Sequence, residues 1–147
     1  MARWLAVDYG RTRIGLALSD PAGTLASPLR TIPGTGSIPS DAERIAAIAR
    51  QEQADAILVG LPLNMDGTVG PQAQLSRELA ARLAKIATHE VRLHDERLST
   101  FAADQRLSAH GLTRKQKKRR RDAIAAQVFL QAFLDGAGRQ AKDQPMD

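Results

Sequence analysis

The chain has 147 residues, of which 43% are hydrophobic and 25% charged, a balance that indicates one ordinary globular domain and excludes a disordered chain. It contains no cysteine, which excludes disulfides and thiolate metal sites. Asp8 interrupts the short N-terminal apolar run and no run approaches membrane-spanning length, so we expect a cytoplasmic protein without a signal peptide or membrane contact.

The net charge of +5 is concentrated in one segment. Seven of the eight residues from 114 to 121 are basic, and the rest of the chain is close to neutral. Such a local excess is typical of a polyanion-binding surface, although a solvated basic loop has the same composition. We therefore predict that nucleic acid binds at this basic segment, which consists of Arg114, Lys115, Lys117, Lys118, Arg119, Arg120 and Arg121.

Three strands are predicted at the start of the chain. Residues 4–9 and 13–19 are apolar runs, and only three residues, Gly10 to Thr12, join them. Two strands with so short a connection must be antiparallel neighbours. Residues 25–32 supply a third strand, which Pro28 places at an edge of the sheet or weakens.

Helices and strands alternate in the remainder of the chain. Ser40 and Glu43 have the spacing of a capping box, which predicts a helix ending near Gln53. Residues 56–60 form an apolar strand typical of one covered on both faces, and Pro71 can begin a second helix. The later predictions are a helix stripe of Leu75, Leu79, Leu83 and Ile86, a strand at 91–96, a helix from Ser99 or Thr100 to about Gly111, and a final helix at about 120–135.

This order predicts an α/β fold with a mixed five-stranded sheet flanked by helices on both faces. The first three strands form a meander, and the later units cross over onto the same sheet. Periodicity alone also allows other α/β folds. We expect a single domain over residues 1–136 and a flexible C-terminal tail over residues 137–147.

Two acids occupy positions where the pattern predicts apolar side chains. Asp8 lies in a central strand in phase with Trp4 and Ala6, where an unpaired carboxylate is costly. The structural alternative is that Asp8 accepts hydrogen bonds from the following turn. Asp122 precedes Ala126 and Phe129 by four and seven residues on the last helix, so it projects from the buried face. Its alternative role is a favourable charge near a helix N-terminus.

A third acid follows the fifth strand. Asp95 and Glu96 are adjacent, so their side chains should point to opposite faces and only one should reach Asp8. We favour Glu96 as the metal ligand and give Asp95 a supporting or occasional ligand role; the alternative is an exposed ion pair with Arg97. Thr12 and Asn64 lie near strand ends and could contact phosphate or a metal-bound water, although turn formation explains Asn64 equally well.

Converging carboxylates suit a hard divalent cation, Mg²⁺ or Mn²⁺, and such ions support phosphodiester cleavage. Four blocks of the sequence also occur in this order in a known family: LAVDYGRTRIGLALSD at 5–20, VGLPLNMDGT at 59–68, HDERLST at 94–100, and a closing segment from DAIAA at 122–126 to FLD at 133–135. In these blocks the chain resembles the YqgF family, also called RuvX.

The resemblance implies an RNase H-like fold related to Holliday-junction resolvases, and a nuclease that processes the 5′ end of precursor 16S rRNA. By analogy, Asp8 and Asp122 match the acids on the first strand and the last helix. The resolvases carry a further acid after the fourth strand, where this chain has Gly60-Leu61-Pro62. The family pattern moves that carboxylate to Asp95-Glu96.

The leading hypothesis is a metal-dependent nuclease acting on precursor rRNA as a monomer or homodimer. Asp8, Glu96 and Asp122 would hold the metal, with Asp95 as a further candidate. Nucleic acid would contact the basic segment together with Thr12, Asn64 and Arg97. The alternatives are a dimeric resolvase of branched DNA and a non-catalytic rRNA-binding assembly factor. Actin-like ATPases share the related fold but need two such domains.

Overall fold

The computed structural model describes residues 2–99, 114–136 and 144–145. Within these ranges the chain forms strands, helices and one 3-10 turn in the following order: β1 (Trp4–Tyr9), β2 (Arg13–Ser19), β3 (Ala26–Pro33), α1 (Ile38–Gln51), β4 (Ala56–Leu61), α2 (Pro71–Ile86), β5 (Glu90–Asp95), the 3-10 turn (Glu96–Ser99), α3 (Arg114–Leu134) and β6 (Gln144–Pro145).

The strands form one mixed sheet in the order β3-β2-β1-β4-β5-β6. β1 is antiparallel to β2 and parallel to β4, and β4 is parallel to β5. The predicted meander and the predicted mixed sheet of five strands, β1 to β5, are therefore confirmed, and β6 adds a short sixth strand at one edge. The two-residue β6 pairs with β5 and is all that the structure describes of the predicted tail at 137–147.

β3 lies at the edge of the sheet, as Pro28 predicts. The register between β2 and β3 shifts between Leu16 and Ala17, and Pro28 is the partner of Ala17 just after this shift. The missing N–H of a proline is tolerated at such an irregular edge position. The prediction of an edge strand at this position is confirmed.

Helices cover both faces of the sheet, so side-chain alternation along β1 divides the core in two. Leu5, Val7 and Tyr9 pack on the face that α1 and α2 cover. Trp4 and Ala6 pack on the opposite face, against Phe129 and Phe133 of α3. Asp8 is in phase with Trp4 and Ala6, so its side chain belongs to the α3 face.

The start of α1 differs from the prediction. Ser37, and not Ser40, is the N-cap, and its side-chain oxygen accepts a hydrogen bond from the backbone N–H of Ser40. The helix begins earlier because Pro39 fits the first turn, where its missing N–H costs nothing. Asp41 is fully buried and accepts hydrogen bonds from Tyr9 Oη (2.6 Å) and Thr35 Oγ1 (2.8 Å), which tie α1 to the end of β1.

The start of α3 also differs, by six residues. The helix begins at Arg114 rather than near Arg120, so the basic segment forms its first two turns. Arg, Lys and Gln have high helix propensity, and a solvated helix end needs no apolar stripe. The predicted helix from Ser99 or Thr100 to Gly111 lies outside the described residues, apart from Ser99, which ends the 3-10 turn.

The remaining helix and strand predictions differ from the structure only in detail. Pro71 begins α2, and Leu79 and Leu83 are fully buried, whereas Ile86 at the end of the predicted stripe is exposed. β5 ends at Asp95, one residue earlier than predicted. Among the helices that the structure describes, none is both long enough and apolar enough to cross a membrane.

Candidate active site

The candidate site is centred on Asp8, near the end of a strand in the middle of the sheet. On one side Asp8 is the register partner of Gly15 on β2. On the other side Val7 is the partner of Val59 on β4, so Gly60 is the next residue along that strand. Asp8 is thus flanked on both sides by glycines, whose missing side chains let other parts of the chain approach the sheet closely beside it.

Gly15 brings Asp122 to Asp8. A Cβ atom on Gly15 would lie 2.1 Å from the carbonyl oxygen of Asp122, so the backbone of α3 rests directly on β2 at this point. Glycine within a strand commonly marks such a close approach of another backbone. Because Gly15 is the partner of Asp8, this contact places the Asp122 carboxylate beside the strand that carries Asp8.

Gly60 has the same effect for Glu96. A Cβ atom on Gly60 would lie 2.7 Å from Glu96 Oε2 and 2.7 Å from the ring of Phe129. The Glu96 side chain therefore reaches from the end of β5 across β4 toward Asp8. The lack of a side chain at position 60 leaves this space open, because a Cβ atom there would meet the Glu96 carboxylate.

Burial and the charges of neighbouring acids raise the pKa values of two acids at this site. Burial, and then the charge of Asp122, raise the pKa of Asp8 from 3.8 to about 6. Burial, then the charges of Asp8 and Asp95, raise the pKa of Glu96 from 4.5 to about 7. Both carboxylates are costly as anions at neutral pH, and a bound cation would remove that cost. Carboxylate oxygens are donors of the kind that Mg²⁺ and Mn²⁺ prefer.

Arg13 occupies one side of this group. Its Nε atom lies 3.0 Å from Asp122 Oδ2, and the two side chains are 56% and 23% exposed. In the described ranges, no three acidic or histidine side chains lie close enough together to enclose a metal ion as they stand. The donor chemistry fits a divalent cation, while Asp122 is held by a guanidinium group.

Asp95 lies on the opposite face of the sheet from Glu96, as alternation predicts. The side chain of Arg97 donates to both Asp95 oxygens, with Nη2 2.8 Å from Oδ2, and lowers the pKa of Asp95. Arg97 Nη1 also donates to the carbonyl oxygen of Met65 at 3.3 Å. Asp95 therefore fixes Arg97 over the turn after β4, and the structure does not bring it together with Asp8.

Asn64 and Thr12, two of the other predicted contact residues, lie in connections between elements. Asn64 Nδ2 donates to Thr68 Oγ1 at 2.9 Å, so its side chain closes a turn. Thr12 is exposed in the bend between β1 and β2, where its carbonyl oxygen accepts a hydrogen bond from Gly34. Arg121 is exposed and immediately precedes Asp122, while the side chains of Arg114, Lys115, Lys117, Lys118, Arg119 and Arg120 lie outside the part that the structure describes.

Sequence reasoning missed three residues of the site: Arg13, Gly15 and Gly60. For the glycines a signal exists, because an isolated glycine in a strand pattern indicates a bulge or a close approach. For Arg13 there is none, since an exposed arginine at the start of a strand is ordinary and its pairing with Asp122 exists only in the folded chain.

Comparisons with known proteins agree with this fold. The chain is 45% identical over 133 residues to a protein of Anaeromyxobacter dehalogenans (strain 2CP-C) named "Putative pre-16S rRNA nuclease"; the match covers 90% of this chain and 96% of the relative. A protein of the same name from Kineococcus radiotolerans is 46% identical over 132 residues, which cover 89% of this chain and 70% of the relative.

Among solved structures, Thermus thermophilus RuvC in complex with a Holliday junction substrate aligns with a TM-score of 0.58 and 13% identity, covering 99% of this chain and 100% of the other. This likeness shows the fold alone, which is RNase H-like. The sequence model of the RuvX family, described as Holliday junction resolvase, matches residues 2–136. The chain therefore belongs to the RuvX family.

Proposed function

We propose that this chain is a metal-dependent nuclease that acts in the cytoplasm and processes the 5′ end of precursor 16S rRNA. The observation that carries the proposal is the convergence of Asp8, Glu96 and Asp122, from three distant parts of the chain, on one face of the sheet. The names of the relatives at about 45% identity support the substrate.

In the proposed site the three carboxylates hold Mg²⁺ or Mn²⁺. A divalent cation at this position supplies Lewis-acid activation of water and neutralises charge that develops on the phosphate. The chain contributes the fixed positions of the donors: Asp8 on the central strand, Asp122 through the contact of α3 with Gly15, and Glu96 across Gly60. Asp95 acts through Arg97, which it holds in place.

The basic segment and Arg97 bind the phosphate backbone in this proposal. Arg121 directly precedes Asp122 on α3. An RNA strand whose phosphates bind along the first turns of this helix therefore lies next to the acids. Such contacts depend strongly on salt and carry little sequence information. Aromatic residues make up 3% of the chain, and Phe129 and Phe133 are buried in the core, which leaves few side chains for base stacking.

Asp8→Asn tests the proposal, because it removes the central charge and keeps the shape of the side chain. We expect the purified variant to lose cleavage of precursor rRNA by at least about a hundredfold while it still binds the RNA. Glu43→Gln is the matched control, an exposed acid on α1 across the sheet. Wild-type cleavage by Asp8→Asn would refute the assigned site, and a wild-type protein that binds without metal-dependent cleavage would indicate an assembly factor.

The family description favours one second candidate, a resolvase of branched DNA. That activity requires two sites in a symmetric dimer, so it predicts a dimer in solution and faster cleavage of a four-way junction than of precursor rRNA. Both substrates should be compared with the same preparation, and the mass in solution should be measured beside them. Faster cleavage of the rRNA precursor supports the proposed function.

A further inference from the structure

Arg13 is a charged side chain at the site that the proposed function does not use. It begins β2, two residues before Gly15, and its Nε atom lies 3.0 Å from Asp122 Oδ2. The guanidinium group therefore provides positive charge beside Asp122, at the edge of a cluster of three acids. The pair holds one of the three carboxylates that the proposed function assigns to the metal.

The pair is exposed on the arginine side. The side chain of Arg13 is 56% exposed, against 23% for Asp122, so part of the guanidinium faces solvent. An ion pair that is this exposed is weak, and a divalent cation can replace it. A guanidinium group presents five donors in a flat fork that matches the oxygens of a phosphate group. Arg13 is therefore suited to exchange Asp122 for a phosphate.

We propose that Arg13 is an exchangeable counter-ion: it neutralises Asp122 in the metal-free protein and binds a backbone phosphate of the nucleic acid once a divalent cation has taken over Asp122. This inference rests on the proposed function and adds a regulatory step to it. Metal binding frees Arg13, so metal and nucleic acid strengthen each other's binding. In the metal-free protein Arg13 stays on Asp122, and the nucleic acid loses one phosphate contact.

The first measurement is Mn²⁺ binding by calorimetry without nucleic acid, which needs no turnover. Since Arg13 competes with the metal for Asp122, Arg13→Gln should bind Mn²⁺ about two- to fivefold more tightly than the wild type. Arg11→Gln is the matched control: Arg11 is an equally charged, exposed residue two positions away in the preceding bend. It should change Mn²⁺ affinity by less than about twofold, which separates competition for Asp122 from a general effect of charge.

The second measurement is binding of a short labelled RNA at low temperature, with and without Mn²⁺, followed by a gel that checks that the RNA is intact. In the wild type Mn²⁺ should strengthen RNA binding. In Arg13→Gln the affinity in the presence of Mn²⁺ should fall about tenfold, and the gain due to the metal should largely disappear. Thermal melting of the variant checks its fold, which an exposed side chain should not affect.

The outcomes separate the two proposals. A wild-type protein that binds no Mn²⁺ overturns both the proposed function and this inference. A wild type that binds Mn²⁺, with an Arg13→Gln variant whose Mn²⁺ affinity and metal-dependent gain are unchanged, overturns the exchange alone. Equal effects of Arg11→Gln and Arg13→Gln also overturn it, because they would show that only the charge of the bend matters.

Discussion

The carboxylates of Asp8 and Glu96 carry an energetic cost in the metal-free protein. Both lie on the α3 face of the sheet, where burial and neighbouring acids raise their pKa values to about 6 and about 7. Acids whose pKa values are raised this far by burial and by like charges are found mainly at functional sites. This cost should appear in the pH dependence of the free energy of unfolding, which can be measured without substrate.

The expected effect is a loss of stability as the pH rises. Between about pH 4 and pH 7 the folded chain binds more protons at these two carboxyl groups than the unfolded chain does, so the free energy of unfolding falls through this window. We expect Asp8→Asn to stabilise the metal-free protein at pH 8, by on the order of 2 kcal/mol, and to leave its stability at pH 4 nearly unchanged.

Calorimetric melting in the presence of a chelator measures this difference. Glu43→Gln, an exposed acid on α1, should shift the melting temperature little at either pH. An Asp8→Asn variant that is no more stable than the wild type at pH 8 would show that the Asp8 carboxylate already has a favourable partner.

At the scale of single residues, the acids show which parts of the candidate site can be predicted from the sequence. Asp8 and Asp122 were identifiable because each stands in phase with apolar neighbours, and alternation separated Glu96 from Asp95. Which acids meet depends on β1 lying between β2 and β4 and on the two glycines beside it. The pairing of Arg13 with Asp122 joins residues more than a hundred positions apart, and no local pattern encodes it.

At the scale of elements, the contact between α3 and β2 positions the site. The helix backbone at Asp122 approaches so closely that position 15 has no room for a side chain. A backbone carbonyl cannot rotate away as a side chain can, so any Cβ atom at this position forces the helix and the strand apart. The location of Asp122 therefore depends on a residue that has no side chain.

Gly15→Ala tests this dependence. We expect a loss of stability of about 2 kcal/mol or more from overpacking, and weaker Mn²⁺ binding because Asp122 moves away from Asp8. Chemical denaturation and Mn²⁺ calorimetry measure the two effects. Gly36→Ala is the control: its left-handed backbone (φ 82°) adds strain, but a Cβ atom there meets nothing within 4 Å, so stability alone should fall. Wild-type Mn²⁺ affinity in Gly15→Ala would contradict the positioning role.

Helices and strands were predictable where the spacing of apolar residues or a short connection determined them. The antiparallel pairing of β1 and β2 followed from a three-residue connection, and the edge position of β3 from Pro28. The start of α3 was wrong because charged residues show no apolar stripe, although they form helices well. The start of α1 was wrong because Ser37 and Ser40 are both good caps, and Pro39 decided between them.

At the scale of the whole molecule, the two faces of the sheet differ in charge because the basic segment lies on only one of them. It begins α3 on the side of the acids, whereas α2 on the other side borders a groove of about 560 Å³ whose lining is mostly uncharged and carries one charge of each sign, Arg77 and Glu78. The charge distribution therefore predicts that nucleic acid approaches from the α3 side.

Replacing Lys115, Lys117 and Lys118 with glutamine tests this direction of approach. The slope of the logarithm of RNA affinity against the logarithm of salt concentration should decrease in magnitude by about two, since each contact with a single strand contributes about 0.7. Fluorescence anisotropy across a salt series measures it. The matched control replaces Arg77, Arg82 and Lys85, three exposed basic residues of α2, and should leave the slope almost unchanged. Equal effects of the two triple variants would show that only net charge attracts the RNA.

One helix, α3, carries both the basic segment and Asp122, one of the three acids. From Arg114 to Asp122 the helix rises by about 12 Å, and its hydrogen bonds keep this length constant. Under the proposed function, a strand bound on the first turns reaches the acids after a set number of nucleotides, whatever its bases are. The length of the helix would then fix the distance along the RNA between the phosphates bound by the basic segment and the bond that is cleaved.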